Sequence, residues 1–288
     1  MIALTQIHQI AVCGAGTMGA GIAQVAATSG YSTTLYDLQP AVLEKAKDQI
    51  RQQLDTAVSK GKLGAADSTA IFDRIHFTGQ LSDCKADVII EAIVERTDIK
   101  ISLFNALAEI NTPATIFASN TSSLSISHIA AEVSHPQRVI GMHFFNPAHL
   151  MKLVEVISAE QTAPAVEQAI YDLAVKMGKT PVRVKDSPGF IVNRVARHYY
   201  LEAMKVAEQG IAGFREIDQL LESAGFRMGP FALMDLIGND VNLAVSTSLY
   251  ESFRKAVRFA PNKLQIERVA SGQLGRKSNK GFYDYTKG

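Results

Sequence analysis

Short apolar runs alternate with longer stretches in which apolar residues recur every three to four positions. Ile7–Cys13 is an apolar run ending at Gly14, which suits a buried parallel strand. A helix is expected from about Thr17 to Ser29, closed by Gly30, and then a strand over Ser32–Tyr36. Pro40, well placed in a first turn, opens a long helix to about Lys60. Its apolar face runs Leu43, Ala46, Ile50, Leu54, Ala57, close to a 3.6-residue period. Further strands are predicted at Asp87–Ile90, Thr115–Ala118, Val139–Met142, Met151–Ile157 and Val182–Val184, with helices over Ile99–Ile110 and Pro164–Met177 between them.

Strand–helix alternation up to about residue 185 predicts an α/β domain with a doubly wound parallel sheet, of Rossmann type. The pattern then changes. In KDSPGFIVNR, Ser187 is a candidate N-cap and Pro188 sits at the first helical position. The rest of the chain reads as helices with glycine breaks at Gly210, Gly213, Gly225–Gly229 and Gly238. The expected organisation is residues 1–186 as a nucleotide-binding domain and 187–288 as an all-helical domain.

The chain has 288 residues, 47% of them apolar and 20% charged, enough for one large or two ordinary folded domains. A net charge of +1 gives no bulk electrostatic reason to expect nucleic-acid or membrane binding. Met1 to Tyr36 contains no Lys, Arg, Asp or Glu, but it lacks a basic leader region and is interrupted by Gly, Thr, Ser and Gln. It reads as strand, glycine turn and helix rather than as a signal peptide or a membrane span. Two cysteines, Cys13 and Cys84, form neither a disulfide framework nor a metal site, so a reducing, cytoplasmic setting is expected.

Gly14-Ala15-Gly16-Thr17-Met18-Gly19 fits G-x-G-x-x-G between a predicted strand and a predicted helix, and Asp37 ends the next strand 18 residues after Gly19. Glycines there let the backbone approach a pyrophosphate at a helix N-terminus, where free N–H groups and the dipole favour anions. Asp37 can accept from a ribose diol and repels a 2′-phosphate, and Leu38-Gln39-Pro40 supplies no cation to hold one. NAD is therefore the expected cofactor, in preference to NADP.

Several polar residues sit in apolar company. The Ser119–Ser123 stretch follows a predicted strand, where it can meet a ligand or simply cap the next helix; spacing alone does not choose. His143 follows the strand Val139–Met142 and could be a catalyst or a satisfied core residue. Glu155 lies between Val154 and Val156. A buried carboxylate needs a partner, and Lys152, an arginine elsewhere or His143 could serve. A His–Glu pair would fix the imidazole tautomer and stabilise the imidazolium, which suits a general base. Alternatively Glu155 lies at a solvated strand edge. Asn193, one to two turns into the helix that opens the second domain, needs partners that either a ligand between the domains or the backbone and water could supply.

The stretches GAGTMGAGIAQ, VIIEAIVE, FASNTSSLSI, HFFNPAHLMKLVEV, KDSPGFIVNR, MGPFALMDLIG and GRKSNKGFYDY together resemble the L-3-hydroxyacyl-CoA dehydrogenase family, over nearly the whole chain and in order. In length the chain is most similar to the bacterial 3-hydroxybutyryl-CoA branch. The resemblance implies a catalytic His143–Glu155 pair, substrate contacts from Ser122 and Asn193, and cofactor contacts from Gly14–Gly19, Asp37, Glu95, Lys100, Asn120 and Lys277. It implies that Lys60 meets the CoA moiety, that no metal is needed, and that the helical domain forms a homodimer. The implied reaction is NAD-dependent interconversion of L-3-hydroxyacyl-CoA and 3-oxoacyl-CoA, as in fatty-acid β-oxidation. Two rival readings remain at this level. One is an acyl-CoA thioesterase using Ser122, His143 and Glu155, which lacks the G-x-S-x-G elbow and has no use for the glycine loop. The other is a non-enzymatic NAD-binding protein on the same fold.

Overall fold

A computed structural model describes residues 4–286. The chain divides after Ser187 into two compact units.

The first unit holds one eight-stranded sheet. In chain order its elements are β1 (Gln9–Cys13), α1 (Thr17–Thr28), β2 (Ser32–Tyr36), α2 (Pro40–Ser59), α3 (Ala65–Asp73), β3 (Ile75–Thr78), β4 (Val88–Glu91), α4 (Thr97–Ile110), β5 (Ile116–Ser119), α5 (Ile126–Ala131), β6 (Val139–Phe144), β7 (Leu153–Ser158), α6 (Pro164–Lys176) and β8 (Thr180–Lys185). The strands lie in the order β3-β2-β1-β4-β5-β6-β7-β8. β1 pairs parallel with both β2 and β4, so the chain winds outward from β1 in both directions. This is the doubly wound arrangement, with its switch point between the carboxyl ends of β1 and β4. Both sheet faces are covered, so the central strands are buried almost without alternation: β4, β5 and β6 have no exposed residue.

Three features differ from the sequence expectation. α3 and β3 are additional elements; β3 is a four-residue strand that pairs only with β2 at the sheet edge. β7 runs antiparallel to β6, and β8 follows β7 in parallel, so the last two strands reverse the sheet. β6 also extends to Phe144, which puts His143 within the strand rather than after it.

Packing explains the helices. α2 has Pro40 at its start and buries Leu43, Ala46, Ile50 and Leu54, one apolar stripe. They join one large core with Ile10, Val12, Ile22, Ala26 and Leu35. Each such buried Leu or Ile contributes about 1.5–3 kcal/mol relative to an exposed one.

The second unit is helical: α7 (Val192–Glu208), α8 (Phe214–Ser223), α9 (Pro230–Ile237), α10 (Asn239–Ser252) and α11 (Lys263–Ala270). α7 starts at Val192, with Ile191 at the cap position and no side-chain capping bond. Ser187 and Pro188 therefore do not open it. Gly189 and Phe190 take φ of 73° and 51°, left-handed values that no helical turn can contain. In consequence Asn193 lies in the first turn of α7, not one to two turns in. The core of this unit gathers Tyr200, Leu201, Met204, Phe231, Met234 and Phe282. Two buried carboxylates organise it. Asp235, 1% exposed, accepts from Phe282 N, Tyr283 N, the Tyr285 hydroxyl and Asn239 Nδ2, while Asp218 accepts from Phe231 N, Ala232 N and the Tyr283 hydroxyl. The final segment is thereby tied to α8 and α9. Among the described residues no helix is long and apolar enough to cross a membrane.

Candidate active site

The glycine loop joins β1 to α1. Gly14 has φ of 100°, and a Cβ there would lie 2.6 Å from the carbonyl oxygen of Ala92, just beyond β4. A Cβ on Gly19 would fall 1.7 Å from the carbonyl oxygen of Gly14, so only glycine lets α1 start this close to β1. Gly16 differs: a Cβ there would meet nothing within 4 Å, and Gly16 and Thr17 are exposed. The backbone of Gly16, Thr17 and Met18 thus presents the first turn of a twelve-residue helix to an open space, with first-turn N–H groups that have no partner within the helix. That is a cradle for an anion, and it fits a dinucleotide's pyrophosphate.

Asp37, at the end of β2, accepts from Ala15 N at 2.8 Å through one oxygen and from Gln39 N at 2.9 Å through the other. These bonds tie the loop to β2. The half-buried carboxylate keeps further lone pairs, which could accept from a ribose diol and whose charge would repel a 2′-phosphate.

Beyond the next two strands lies a buried ionic cluster. Lys100, in the first turn of α4 and only 1% exposed, donates to Glu91 at 2.5 Å and pairs with Glu95 at 3.2 Å. Glu91, at the end of β4, also accepts from the Ser119 hydroxyl and from Ile93 N. Burial pushes the Glu91 carboxyl up, against the pull of Lys100 and these bonds. Burial also raises Glu95, but Lys100 and bonds from Thr121 and Ser122 together hold it below its ordinary value. Glu95 Oε1 accepts from the Thr121 hydroxyl at 2.6 Å and Ser122 N at 3.0 Å, which shapes the loop carrying Ser122. Glu91 is a site residue that the sequence did not single out, whereas Ser119 opens the polar stretch already considered as a ligand contact. The signal for Glu91 was available, since it is a lone polar residue ending an apolar strand.

Asn120 follows β5. Its N–H donates to the Glu91 carbonyl, and its Oδ1 accepts from Phe144 N at 2.8 Å. The second bond matters because β5 ends level with Gly141: Ser119 pairs with Gly141, and β6 continues for three residues past it. Asn120 holds that overhang where the neighbouring strand no longer does.

His143 lies on the overhang. Its register partner on β7 is Glu155. Directly opposed residues on antiparallel strands share a face, with Cβ atoms about 4.5–5.5 Å apart. The side chains meet: His143 Nδ1 is 2.8 Å from Glu155 Oε2, with the two residues 6% and 1% exposed. Phe145 packs against the imidazole with ring centroids 4.5 Å apart. A carboxylate at Nδ1 makes that nitrogen the donor and leaves Nε2 as the proton acceptor. The arrangement can take a proton at Nε2 and hold the resulting charge.

The first unit thus brings together, along one edge of its sheet, the glycine loop, Asp37, Glu95, Lys100, Asn120, Ser122, His143 and Glu155. Lys60 is exposed at the end of α2. In the second unit, Asn193 stands in the first turn of α7, and Lys277 donates to Asp240 at 2.6 Å.

Comparison with known proteins places these features in a family. Residues 9–187 match the model of the 3-hydroxyacyl-CoA dehydrogenase NAD binding domain, and residues 189–285 match that of the 3-hydroxyacyl-CoA dehydrogenase C-terminal domain. The chain is 47% identical over 284 residues to a 3-hydroxyadipyl-CoA dehydrogenase of Escherichia coli, covering 98% of this chain but only 60% of that longer protein. It is 41% identical to a 3-hydroxybutyryl-CoA dehydrogenase of Clostridioides difficile, covering 97% of this chain and 100% of the relative. The crystal structure of (S)-3-hydroxybutyryl-CoA dehydrogenase from Ralstonia eutropha is similar with a TM-score of 0.93 at 40% identity, covering 98% of this chain and 100% of that one. The chain, with an NAD-binding first unit, belongs to the 3-hydroxyacyl-CoA dehydrogenase family.

Proposed function

We propose that this protein catalyses the NAD-dependent oxidation of a short-chain L-3-hydroxyacyl-CoA, 3-hydroxybutyryl-CoA in the first instance, to the 3-oxoacyl-CoA, and the reverse. The observation that carries the residue assignment is the 2.8 Å contact between His143 Nδ1 and Glu155 Oε2 at the carboxyl edge of the sheet. NAD, when bound, supplies the hydride acceptor. The protein's own part is to orient the substrate and manage the proton. His143 Nε2 takes the proton of the C3 hydroxyl, and Glu155 stabilises the imidazolium that forms. In reduction the imidazolium polarises the ketone and returns the proton. Ser122 holds a substrate oxygen, so that C3 stays in line for transfer. Asn193 receives the same role from the family resemblance alone, as Lys60 receives the CoA contact and Lys277 a cofactor contact.

Asp37, Glu95, Lys100 and Asn120 belong to the cofactor side of the site. Lys100 acts there chiefly as the internal counter-ion of Glu91 and Glu95, given its burial. The helical second unit forms a homodimer, and the protein works in the cytoplasm on a soluble thioester. Light scattering checks the dimer.

The deciding assay follows NADH consumption with acetoacetyl-CoA. His143→Gln is expected to lose on the order of 10²–10⁴ in turnover with NADH affinity kept. Near-wild-type turnover removes the assigned role. Release of free CoA without any cofactor would instead support a Ser122–His143–Glu155 thioesterase. The E. coli relative's name raises a dicarboxylic acyl chain as a second substrate, and catalytic efficiencies over chains of increasing length, with and without a terminal carboxylate, decide between them.

A further inference from the structure

Between His143 and Glu155 the chain makes a loop, residues 145–152, whose shape fixes how β6 and β7 present the pair. Pro147 O accepts from both Leu150 N and Met151 N, so the loop contains one tight turn. Its outward carbonyls need donors from elsewhere, and one side chain supplies them. Lys179, in the turn between α6 and β8, donates from Nζ to Ala148 O at 2.5 Å and to Met151 O at 2.9 Å. The two turns are knitted further: Thr180 N donates to Lys152 O at 2.8 Å, and Lys152 Nζ to Gly178 O at 3.4 Å.

Lys179 is 8% exposed, and the acceptors of its two Nζ bonds are neutral carbonyls. Burial pushes its ammonium down, with the nearby Lys152 charge adding to the effect. An apolar side chain would fill the same space without desolvating a charge. What the ammonium adds is a fix on two specific carbonyls of the loop.

The other side of the loop faces the cofactor helix. A Cβ built on Gly21 of α1 would lie 3.1 Å from Ala148 Cβ, so the loop sits on α1 with no room between them. Ala148, whose carbonyl Lys179 holds, is 2% exposed. One residue is therefore gripped from one side by Lys179 and pressed from the other by α1.

We propose that Lys179 is a positioning residue: by clamping Ala148 and Met151 it seats the His143–Glu155 hairpin against α1 and so sets the distance between the proton acceptor and the bound dinucleotide. The inference rests on the acid/base role of His143 proposed above. Lys179 touches no reacting atom; it acts through the loop. A displacement of about 1 Å at a reacting centre costs up to about a hundredfold in rate, while binding of each reactant by itself is little changed.

The test compares Lys179→Met, Gly21→Ala and His143→Gln with the wild-type chain. It reads kcat and KM for acetoacetyl-CoA, the NADH dissociation constant by NADH fluorescence, and folded fraction by circular dichroism. Lys179→Met keeps the aliphatic stem and removes the cation. Its kcat should fall about 10- to 100-fold, with NADH affinity within about threefold of wild type. Gly21→Ala favours the helix but pushes Ala148 away, and should lower kcat at least about fivefold with NADH affinity kept. It decides the matter by itself if Lys179→Met does not fold. A folded Lys179→Met or Gly21→Ala with kcat within twofold of wild type overturns the clamp, and so does a Gly21→Ala loss matched by weakened NADH binding. If His143→Gln turns over normally, the acid/base reading has failed. If His143→Gln is inactive while Lys179→Met is unimpaired, only the clamp has failed.

Discussion

Replacing Glu155 by glutamine changes one atom of a 1% exposed side chain and removes one charge. At the observed 2.8 Å from Oε2 to His143 Nδ1, a dielectric of about 20 gives an attraction of about 6 kcal/mol between carboxylate and imidazolium. Not all of it is lost. Glutamine can still accept from Nδ1–H through its carbonyl oxygen, and nearby dipoles relax, so about half, ~3 kcal/mol, is the expected rise in barrier. At 1.36 kcal/mol per decade that is on the order of 10² in kcat. This is a lower figure: if the amide turns its NH₂ toward Nδ1, the imidazole takes the other tautomer and Nε2 no longer accepts. The assay is NAD reduction by L-3-hydroxybutyryl-CoA, the direction in which the imidazolium forms during the step, with NADH affinity and the melting temperature measured on the same protein. Slow turnover with cofactor binding and stability kept fits a charge that acts when the ring is protonated. A folded Glu155→Gln variant with kcat within threefold of wild type refutes the reasoning. Loss of the fold would instead make Glu155 a structural counter-ion.

Gly19→Ala should abolish NADH binding in the fluorescence titration, because its Cβ would sit 1.7 Å from Gly14 O and force α1 away from the loop. Asp37→Ala should reduce the preference for NADH over NADPH at least tenfold in kcat/KM, since it removes both the ribose acceptor and the repulsive charge; a wild-type preference for NADPH would refute the cofactor assignment. Tyr285 donates to Asp235, and burial followed by that carboxylate pushes its phenol up to about 12. The raised value means stability present below the ordinary phenol range and lost as pH climbs from about 10 to about 12. The melting temperature should fall across that window, less steeply in Tyr285→Phe; parallel curves would rule the phenol out. Asp235→Ala should cost at least ~3 kcal/mol in urea unfolding, because it leaves four donors around a buried position without their acceptor.

Much of the first unit is legible in the pattern because its strands are buried on both faces and its helices carry one apolar stripe. The glycine loop with Asp37 is legible for a stronger reason: each residue type there is demanded by backbone geometry or charge, not by packing that many residues could satisfy. β3 leaves little trace because IHFT is short, pairs on one side only and exposes His76. The start of α7 is misleading because Pro188 looks like a first-turn proline, and only the left-handed Gly189 and Phe190 break the helix there. Lys179 is invisible in sequence. It follows the glycine that ends α6 and looks like any solvated lysine, and only the tertiary fold turns its ammonium inward.

The reversal at β7 is not apparent in the strand pattern, yet it is what makes the pair. Both strands are apolar runs, and strand direction leaves no mark in an apolar run. The connection does leave one. Residues 145–152 are only eight, whereas returning to lay a parallel strand in the same sheet takes about a dozen or more. A short connection of that kind permits only an antiparallel neighbour. Once β7 runs antiparallel, residues at equal distance from the centre of the hairpin oppose each other, and the loop conformation decides where that centre lies. In the observed register it lies at His149, midway between His143 and Glu155. Adding or deleting one residue of the loop would slide the strands, and a one-residue slip turns every side chain of β7 to the other face. Glu155 would then leave the imidazole, and Val154 or Val156 would take its place. The twelve-residue spacing from His143 to Glu155 is thus a structural constant of the site: it is the spacing at which this hairpin puts a carboxylate beside an imidazole on a strand that outruns its neighbour.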